Sequence, residues 1–146
     1  MRVYVGSDHA GFEFKQAIVE HLLAEGYDVV DVGTDSPESV DYPDYAAKVA
    51  RAVRDGDAEM GVLVCGTGIG MAIAANKVHG VRAANVDRVE FAQLARQHNN
   101  ANVVAVPGRG FIDLPTAEAI VDTFLTTAFE GGRHAGRVAK MDAIGI

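Results

Sequence analysis

Short runs of Val, Ile and Ala alternate along this chain with longer stretches in which apolar residues recur every three or four positions. The short runs are typical of strands covered on both faces, and the longer stretches are typical of amphipathic helices. Gly, Asp, Ser or Asn stands at each junction, where a turn is expected. The alternation predicts an α/β fold: a single doubly wound, Rossmann-like, three-layer sandwich with a five-stranded parallel sheet.

Five strands and six helices are predicted from this pattern. The apolar runs place strands near 2–6, 28–32, 61–65, 81–86 and 102–106. The helical stretches lie near 11–25, 43–54, 69–77, 88–98 and 114–129, followed by a short basic tail helix from about 133. We predict one domain over residues 1–146, because no repeat, linker or low-complexity tract interrupts it.

Polar clusters follow two of the predicted strands. SDHAG (7–11) follows the first strand, and CGTGIG (65–70) follows the third. In open parallel sheets, ligands bind beyond the carboxyl ends of the strands, where the winding reverses. If both clusters line one crevice, strands one and three are neighbours, which favours the strand order 2-1-3-4-5.

Composition narrows the class of protein. With 146 residues, 49% of them hydrophobic, the chain can form one sizeable core. Its net charge of −7 argues against sequence-independent binding to nucleic acid or to an anionic membrane. No segment approaches the roughly 20 apolar residues of a membrane span, and the amino-terminal strand pattern begins without a signal peptide. A single cysteine excludes an internal disulfide and suits a reducing compartment, so we expect a cytoplasmic protein.

The single cysteine, Cys65, ends the third apolar run and is followed by three alternating glycines. Their spacing matches neither a dinucleotide fingerprint nor a P-loop. Two interpretations of the loop stay open: its backbone N–H groups bind an anion or a developing oxyanion, or the glycines only allow a helix and a strand to pack closely. Cys65 is either a buried small hydrophobe or a reactive thiol, since a strand end facing a helix start favours the thiolate.

Other polar segments also allow two interpretations. In SDHAG, Ser7 or Asp8 could begin a helix, whereas His9 has no capping role and is a candidate for the site. RQHNNAN (96–102) could be a polar turn or a site segment. Arg133 and Arg137 lie four residues apart, on one helical face, where two guanidinium groups suit a phosphate; the alternative is a solvated basic tail.

Five segments together resemble a known family. GSDHAGFEFK, DYPDYA, CGTGIGMAIAANK, ARQHNNANV and EGGRHAGRV occur in the order and spacing of the type B ribose-5-phosphate isomerases, within the wider family that includes galactose-6-phosphate isomerase subunits. The resemblance spans essentially the whole chain. Some relatives carry Ser or another residue at the position of Cys65 and use a later glutamate as the base. This chain has Cys65 and no glutamate in MAIAAN, so it resembles the cysteine subgroup.

The resemblance implies an aldose–ketose isomerase that interconverts ribose 5-phosphate and ribulose 5-phosphate through a cis-enediolate. Such a reaction needs a base that moves a proton between C2 and C1, and donors that hold the enediolate oxygens. By resemblance, Cys65 is the base and His98 the acid that opens the sugar ring, with Asp8 as its helper. Thr67 positions the ring oxygen or a hydroxyl group. No metal and no cofactor is implied.

The resemblance also implies a set of substrate-binding residues: His9, Tyr42, Asp44, Gly66, Gly68, Ile69, Gly70, Asn99, Arg109, Arg133 and Arg137. Within this set, His9 and the three arginines match phosphate contacts. Asp44 either shuttles a proton between O1 and O2 or is an acid at a helix start. In the family the carboxyl-terminal arginines reach the neighbour's site. We therefore expect a homodimer, with a tetramer as the larger alternative, in which the tail helix crosses to the partner.

Two alternatives to this function stay open. The first is an isomerase of another sugar phosphate, such as allose 6-phosphate, galactose 6-phosphate or a four-carbon sugar phosphate, because one methylene group changes discrimination by only about 1–3 kcal/mol. The second is a module that binds a phosphorylated ligand without chemistry. Cys65 together with His98 favours an enzyme over this module, since binding alone needs neither a base nor a proton donor.

Overall fold

The computed structural model describes residues 1–145, which form a five-stranded parallel sheet with helices on both faces. The strands are β1 (Arg2–Ser7), β2 (Asp28–Asp31), β3 (Met60–Cys65), β4 (Ala83–Asn85) and β5 (Val103–Pro107). The helices are α1 (Phe12–Ala24), α2 (Tyr42–Asp55), α3 (Ile69–Ala75), α4 (Val89–Asn99), α5 (Leu114–Thr126) and α6 (Arg133–Asp142). The predicted fold class and all eleven elements are confirmed. Residue 146, part of the predicted domain, lies outside the described residues.

The strand order is β2-β1-β3-β5-β4, so the predicted order 2-1-3-4-5 is wrong in its last two positions. Burial accounts for the difference. All five residues of β5 are buried, as a central strand requires, whereas the three residues of β4 are partly or fully exposed, as at an edge. The prediction that β1 and β3 are neighbours is confirmed, and their register pairs Ser7 with Val64.

Two apolar cores lie on opposite faces of the sheet. Helices α1, α4 and α5 cover one face, where Ile18, Ala92 and Ile120 are buried against strand residues such as Val64. Helices α2 and α3 cover the other face, and their core includes Cys65. Helices on both faces of a parallel sheet make the fold doubly wound, with the winding reversing between β1 and β3.

The start of α1 is held tightly against the sheet. A Cβ atom at Gly11 would lie 2.5 Å from the carbonyl oxygen of Val64, so only glycine allows the chain to pass this close to β3. One turn later, the Lys15 side chain is 1% exposed, and its Nζ donates to both carboxylate oxygens of Asp31, at 3.0 and 2.8 Å. These contacts fix the loop between β1 and α1, which carries SDHAG.

Over residues 1–145, no helix combines the length and the apolar character that crossing a bilayer requires.

Candidate active site

The loop from Gly66 to Gly70 begins at the carboxyl end of β3 and has a conformation that needs glycine. Gly68 has a φ of +82°, and a Cβ there would lie 2.5 Å from the Asn85 Nδ2 atom. That amide donates hydrogen bonds to the carbonyl oxygens of Thr67, at 3.2 Å, and Ala105, at 3.1 Å. The last residue of β4 therefore holds the loop in place.

Cys65 lies under this loop with 6% of its surface exposed. Its Sγ accepts a hydrogen bond from the backbone N–H of Gly68 at 3.1 Å, so the sulfur is in direct contact with the backbone of the loop. Within residues 1–145, the N–H groups of Gly66 and Thr67 donate to no protein acceptor. One turn of chain thus presents a sulfur atom and unused backbone donors together.

Thr67 and Ile69 occupy the exposed side of the same loop. The Thr67 Oγ1 accepts a hydrogen bond from the Ile69 N–H at 3.1 Å. Both residues line a cavity of about 380 Å³, together with Asn85, Val86, Asp87, Phe91, Pro107 and Phe111. Phe111 is 70% exposed on the rim of this cavity.

Asp8 and His9 stand beside the loop, because β1 and β3 are neighbours. Asp8 is buried; its N–H donates to the Val64 carbonyl at 3.3 Å, and its Oδ1 accepts from the Gly11 N–H at 3.1 Å. The His9 Nδ1 accepts a hydrogen bond from the Val40 N–H at 3.1 Å. The neutral His9 ring therefore carries its proton on Nε2, where it can donate to a ligand.

Two further predicted residues pack against the glycines of the loop. The Tyr42 ring lies so close to Gly70 that a Cβ there would be 2.6 Å from the Tyr42 Cε1 atom. The Arg109 side chain passes over Gly66, where a Cβ would lie 3.8 Å from the Arg109 Cδ atom. Asp44 is exposed in the first turn of α2, two residues after Tyr42.

The remaining predicted site residues lie where the strands begin, which we call the amino edge of the sheet: His98, Asn99, Arg133 and Arg137. Helix α4 leaves the carboxyl end of β4 and returns to the amino end of β5, so its last turn is at the amino edge. Just beyond this turn, the Asn102 carbonyl accepts from the Gly61 N–H at the start of β3. Gly61 is four residues, or about 13 Å along the strand, from Cys65. One chain therefore does not bring His98 to Cys65.

At this amino edge, α6 packs against α4 through two histidines. The His98 and His134 rings stack with their centroids 4.3 Å apart and 14° between their planes. The Glu130 Oε1 lies 3.6 Å from the Nε2 atom of each ring. Burial and the neighbouring His98 and Arg133 lower the pKa of His134, so this ring is neutral near pH 7.

The RQHNNAN segment forms the polar turn that was one of its two predicted roles, and its role in a site stays a prediction. Arg96 is buried, and its guanidinium donates to the Ala101 carbonyl and to the Asn100 side chain, while Asn100 ends α4 at a φ of 47°. These residues form the turn before β5. His98 and Asn99 lie between them with their side chains available to a ligand.

Two residues at these sites were missed by sequence reasoning. Asn85 lies at the carboxyl end of a strand, as SDHAG does. A single amide with no neighbouring polar residues that form a motif was not selected as a site residue. His134 lies between residues already chosen for phosphate binding, and only the fold shows that its ring contacts His98.

Comparisons with known proteins agree on one family. Residues 3–141 match the family described as Ribose/Galactose Isomerase. The chain is 48% identical to ribose-5-phosphate isomerase B of Escherichia coli over 98% of this chain and 95% of that protein.

Solved structures of similar proteins have the same fold. The ribose-5-phosphate isomerase B of Clostridium thermocellum superposes with a TM-score of 0.97 at 48% identity, covering 99% of this chain and 97% of that one. The Mycoplasma genitalium protein, solved with bound ribulose 5-phosphate, gives 0.92 at 45% identity, covering 97% and 93%. A match over almost the whole length, in sequence and in fold, places this chain in the ribose/galactose isomerase family.

Proposed function

We propose that this protein interconverts ribose 5-phosphate and ribulose 5-phosphate through a cis-enediolate. The observation that carries the proposal is the hydrogen bond from the Gly68 N–H to the Cys65 Sγ, in a loop whose Gly66 and Thr67 N–H groups have no protein acceptor among the described residues. A base and donors for a developing negative charge thus share one turn. The bound ribulose 5-phosphate of the Mycoplasma genitalium relative supports the choice of substrate.

The proton transfer uses Cys65. Its thiolate removes the proton from C2 of the open-chain aldose, and the electron pair moves toward the carbonyl at C1 to form the enediolate. Backbone N–H groups of Gly66 and Thr67 hold the negative oxygen while it exists. The thiol then returns its proton to C1, and a proton moves between O1 and O2, which we assign to Asp44. In the net reaction one hydrogen moves from C2 to C1 and one proton moves from O2 to O1, so the oxidation of C2 balances the reduction of C1 and no external redox partner is needed.

The sugar ring must open before this transfer, and we assign that step to His98 with Asp8. Opening needs a proton on the ring oxygen and the removal of one from the O1 hydroxyl. His98 gives the first, and the Asp8 carboxylate takes the second. Thr67 and Asn99 contact the sugar hydroxyls. His134, kept neutral beside His98, holds the His98 ring in position through the stack.

The phosphate is bound by His9, Arg109, Arg133 and Arg137. Guanidinium groups suit this role because they present paired N–H donors to phosphate oxygens. On a chain with a net charge of −7, the three arginines form a local positive site, and the His9 Nε2–H adds a further donor. Tyr42, against Gly70, closes the side of this site nearest α2.

The functional unit is a homodimer in which each site is completed by the other chain. Cys65 lies at the carboxyl edge of the sheet and His98 at the amino edge, so His98, Asn99, Arg133 and Arg137 must come from a partner to meet Cys65. Exposed apolar side chains suit contact with a second chain: Ile69, Phe91 and Phe111 line the cavity, and Ile73 and Leu94 lie one turn further along α3 and α4. A cytoplasmic location is part of the proposal, since Cys65 must stay reduced to act as a base.

A substrate panel tests the proposed reaction. We expect kcat/KM for ribose 5-phosphate to exceed that for four- and six-carbon aldose phosphates, in buffer treated with a chelator. Unphosphorylated ribose is expected to be a very poor substrate, because the remote phosphate orients the reacting carbons. Preference for a six-carbon aldose phosphate would replace the proposed substrate, and binding without turnover of any of them would refute the isomerase.

A further inference from the structure

Four titratable side chains meet in the groove between α1 and α5, on the sheet face that does not carry Cys65. His21 and Glu25 come from the end of α1, and Glu118 and Asp122 come from α5. The His21 Nε2 lies 2.6 Å from the Glu25 Oε1 and 2.9 Å from the Asp122 Oδ2. The His21 Nδ1 lies 3.0 Å from the Glu118 Oε2. The proposed reaction uses none of these residues.

The position of the imidazole ring sets this group apart from an acidic surface patch. The Glu118 carboxylate lies beside Nδ1, while Nε2 faces two carboxylates from two different helices. A carboxylate behind the ligating histidine is the usual support of a metal-bound imidazole, because it orients the ring and fixes the tautomer. His21 and Glu25 are also four residues apart, so they project from the same face of α1.

We propose that this group binds one Zn²⁺ ion per chain, with His21 Nε2, Glu25 and Asp122 as ligands and Glu118 as the positioning residue. One nitrogen and two carboxylates suit Zn²⁺ better than Ca²⁺ or Mg²⁺, which take oxygen ligands almost alone. Ligands around tetrahedral zinc lie about 3.4 Å apart, so the carboxylates must move outward by less than 1 Å. Glu25 and Asp122 are each 36% exposed and can make this movement, and water completes the coordination.

A second group of possible metal ligands, His98, Glu130 and His134, is less suitable. Its two rings are stacked with only 14° between their planes. Imidazole lone pairs lie in the ring plane, so stacked rings direct them along parallel lines rather than toward one ion. This group also belongs to the proposed reaction site. It lies on α4, α6 and the segment before α6, whereas the zinc group lies between α1 and α5.

Calorimetric titration of the full chain with zinc chloride tests the proposal. We expect one Zn²⁺ per chain and a Tm that rises with zinc but not with the same concentration of magnesium, because the ion joins two helices. His21→Gln should abolish binding, Glu25→Gln should weaken it at least tenfold, and Glu118→Gln should weaken it about 10- to 100-fold. His134→Gln is the matched control and should bind zinc as the native chain does.

Two results would overturn the zinc site. One is a native chain whose Tm and titration heats do not respond to zinc. The other is binding that survives His21→Gln or Glu25→Gln but is lost in His134→Gln. If His21→Gln fails to fold, the test instead uses NMR spectra of the native chain with added Co²⁺. Paramagnetic broadening confined to the His21 ring signals supports the site, and broadening confined to the His98 and His134 ring signals contradicts it.

Discussion

The backbone N–H of Gly68 donates a hydrogen bond to the Cys65 Sγ over 3.1 Å. Cys65 belongs to the core on the α2 and α3 face, and this bond also ties its sulfur to the loop. A cysteine that only filled that core would need no polar contact. The proposed base and the loop that would hold the enediolate are therefore joined directly, and the predictions below test that connection and the rest of the site.

Replacing Cys65 should remove catalysis while substrate still binds. Cys65→Ala is expected to lower kcat by about a hundredfold to ten-thousandfold, because general base catalysis is lost. Cys65→Ser should be almost as inactive, since a hydroxyl is a far weaker acid than a thiol and is hardly ionised near neutral pH. The measurement is deuterium uptake from solvent at the transferred position, with circular dichroism as the folding control. Exchange near the native rate in folded Cys65→Ala would transfer the role of base to a carboxylate such as Asp8.

Mixed dimers should recover activity if each site uses two chains. Cys65→Ala and His98→Asn are each expected to be inactive alone. After subunit exchange at equal concentrations, half of the dimers are hybrids and each hybrid has one intact site, so activity should reach about a quarter of the native value. Exchange is followed independently by mass spectrometry with one chain isotopically labelled. A mixture that has exchanged and stays inactive would contradict the shared site.

Loss of a phosphate contact should weaken substrate binding more than it slows the chemistry. Arg137→Ala is expected to raise KM about 10- to 100-fold with a smaller effect on kcat, because a charged hydrogen bond is made in both the ground state and the transition state. Steady-state kinetics measure this effect. Arg51→Ala, which removes an exposed arginine on α2, is the matched control and should leave KM unchanged. An unaltered KM in Arg137→Ala would remove Arg137 from the phosphate site.

Two glycines with the same φ allow the effect of backbone strain to be measured apart from the effect of side-chain crowding. Gly68 and Gly56 both have a φ of +82°, but a Cβ at Gly56 would have no neighbour within 4 Å. Gly56→Ala should therefore lose about 1–2 kcal/mol of unfolding free energy and keep its activity. Gly68→Ala should lose more and lower kcat as well, because its Cβ would displace the Asn85 amide. Urea unfolding and kcat are measured on both variants; equal losses with full activity in both would show that crowding at Gly68 has no effect.

Asp113 should make the stability of α5 depend on pH. Its Oδ1 accepts from the Thr116 N–H at 2.9 Å, and hydrogen bonding by the Thr116 side chain and N–H lowers the pKa of Asp113 below its ordinary value. The stabilisation is complete above the pKa of the unfolded chain and is lost as pH falls through the lowered pKa. Asp113→Ala should lower the urea midpoint most at neutral pH and least in acid. Asp113→Asn is the control, because it keeps a helix cap without a titrating charge. A urea midpoint of Asp113→Ala that is lowered equally at neutral and acid pH would contradict the prediction.

The sequence predicted the individual strands and helices better than it predicted their arrangement in the sheet. Every strand and helix was predictable because hydrophobic period and turn residues are local. The neighbours of β4 and β5 were not predictable, because strand order is a property of the whole sheet. The greater apolar character of β5 was the one signal in the sequence that β5 is a central strand.

The candidate site also contains residues whose proximity the sequence predicted and residues whose contacts it did not predict. Cys65, Asp8 and His9 were predictable as neighbours, because strands one and three end at one edge. The sequence motif around His98 resembles that of known isomerases, but a motif does not tell which edge of the sheet it occupies. That depends on the direction of α4, which the winding of the chain determines. The contacts of Asn85 and His134 depend on residues distant in the sequence, so no local pattern indicated them.

The Asn85 amide links the loop above Cys65 to the strand at the edge of the sheet. β4 has three residues and one paired neighbour, so among the strands its opening breaks the fewest hydrogen bonds. When β4 frays, Asn85 leaves the Thr67 carbonyl, and the loop loses the contact that holds its backbone donors in position. The lifetime of the loop's active conformation is therefore limited by the local unfolding of an outer strand, and a ligand that orders the loop slows amide hydrogen exchange in β4.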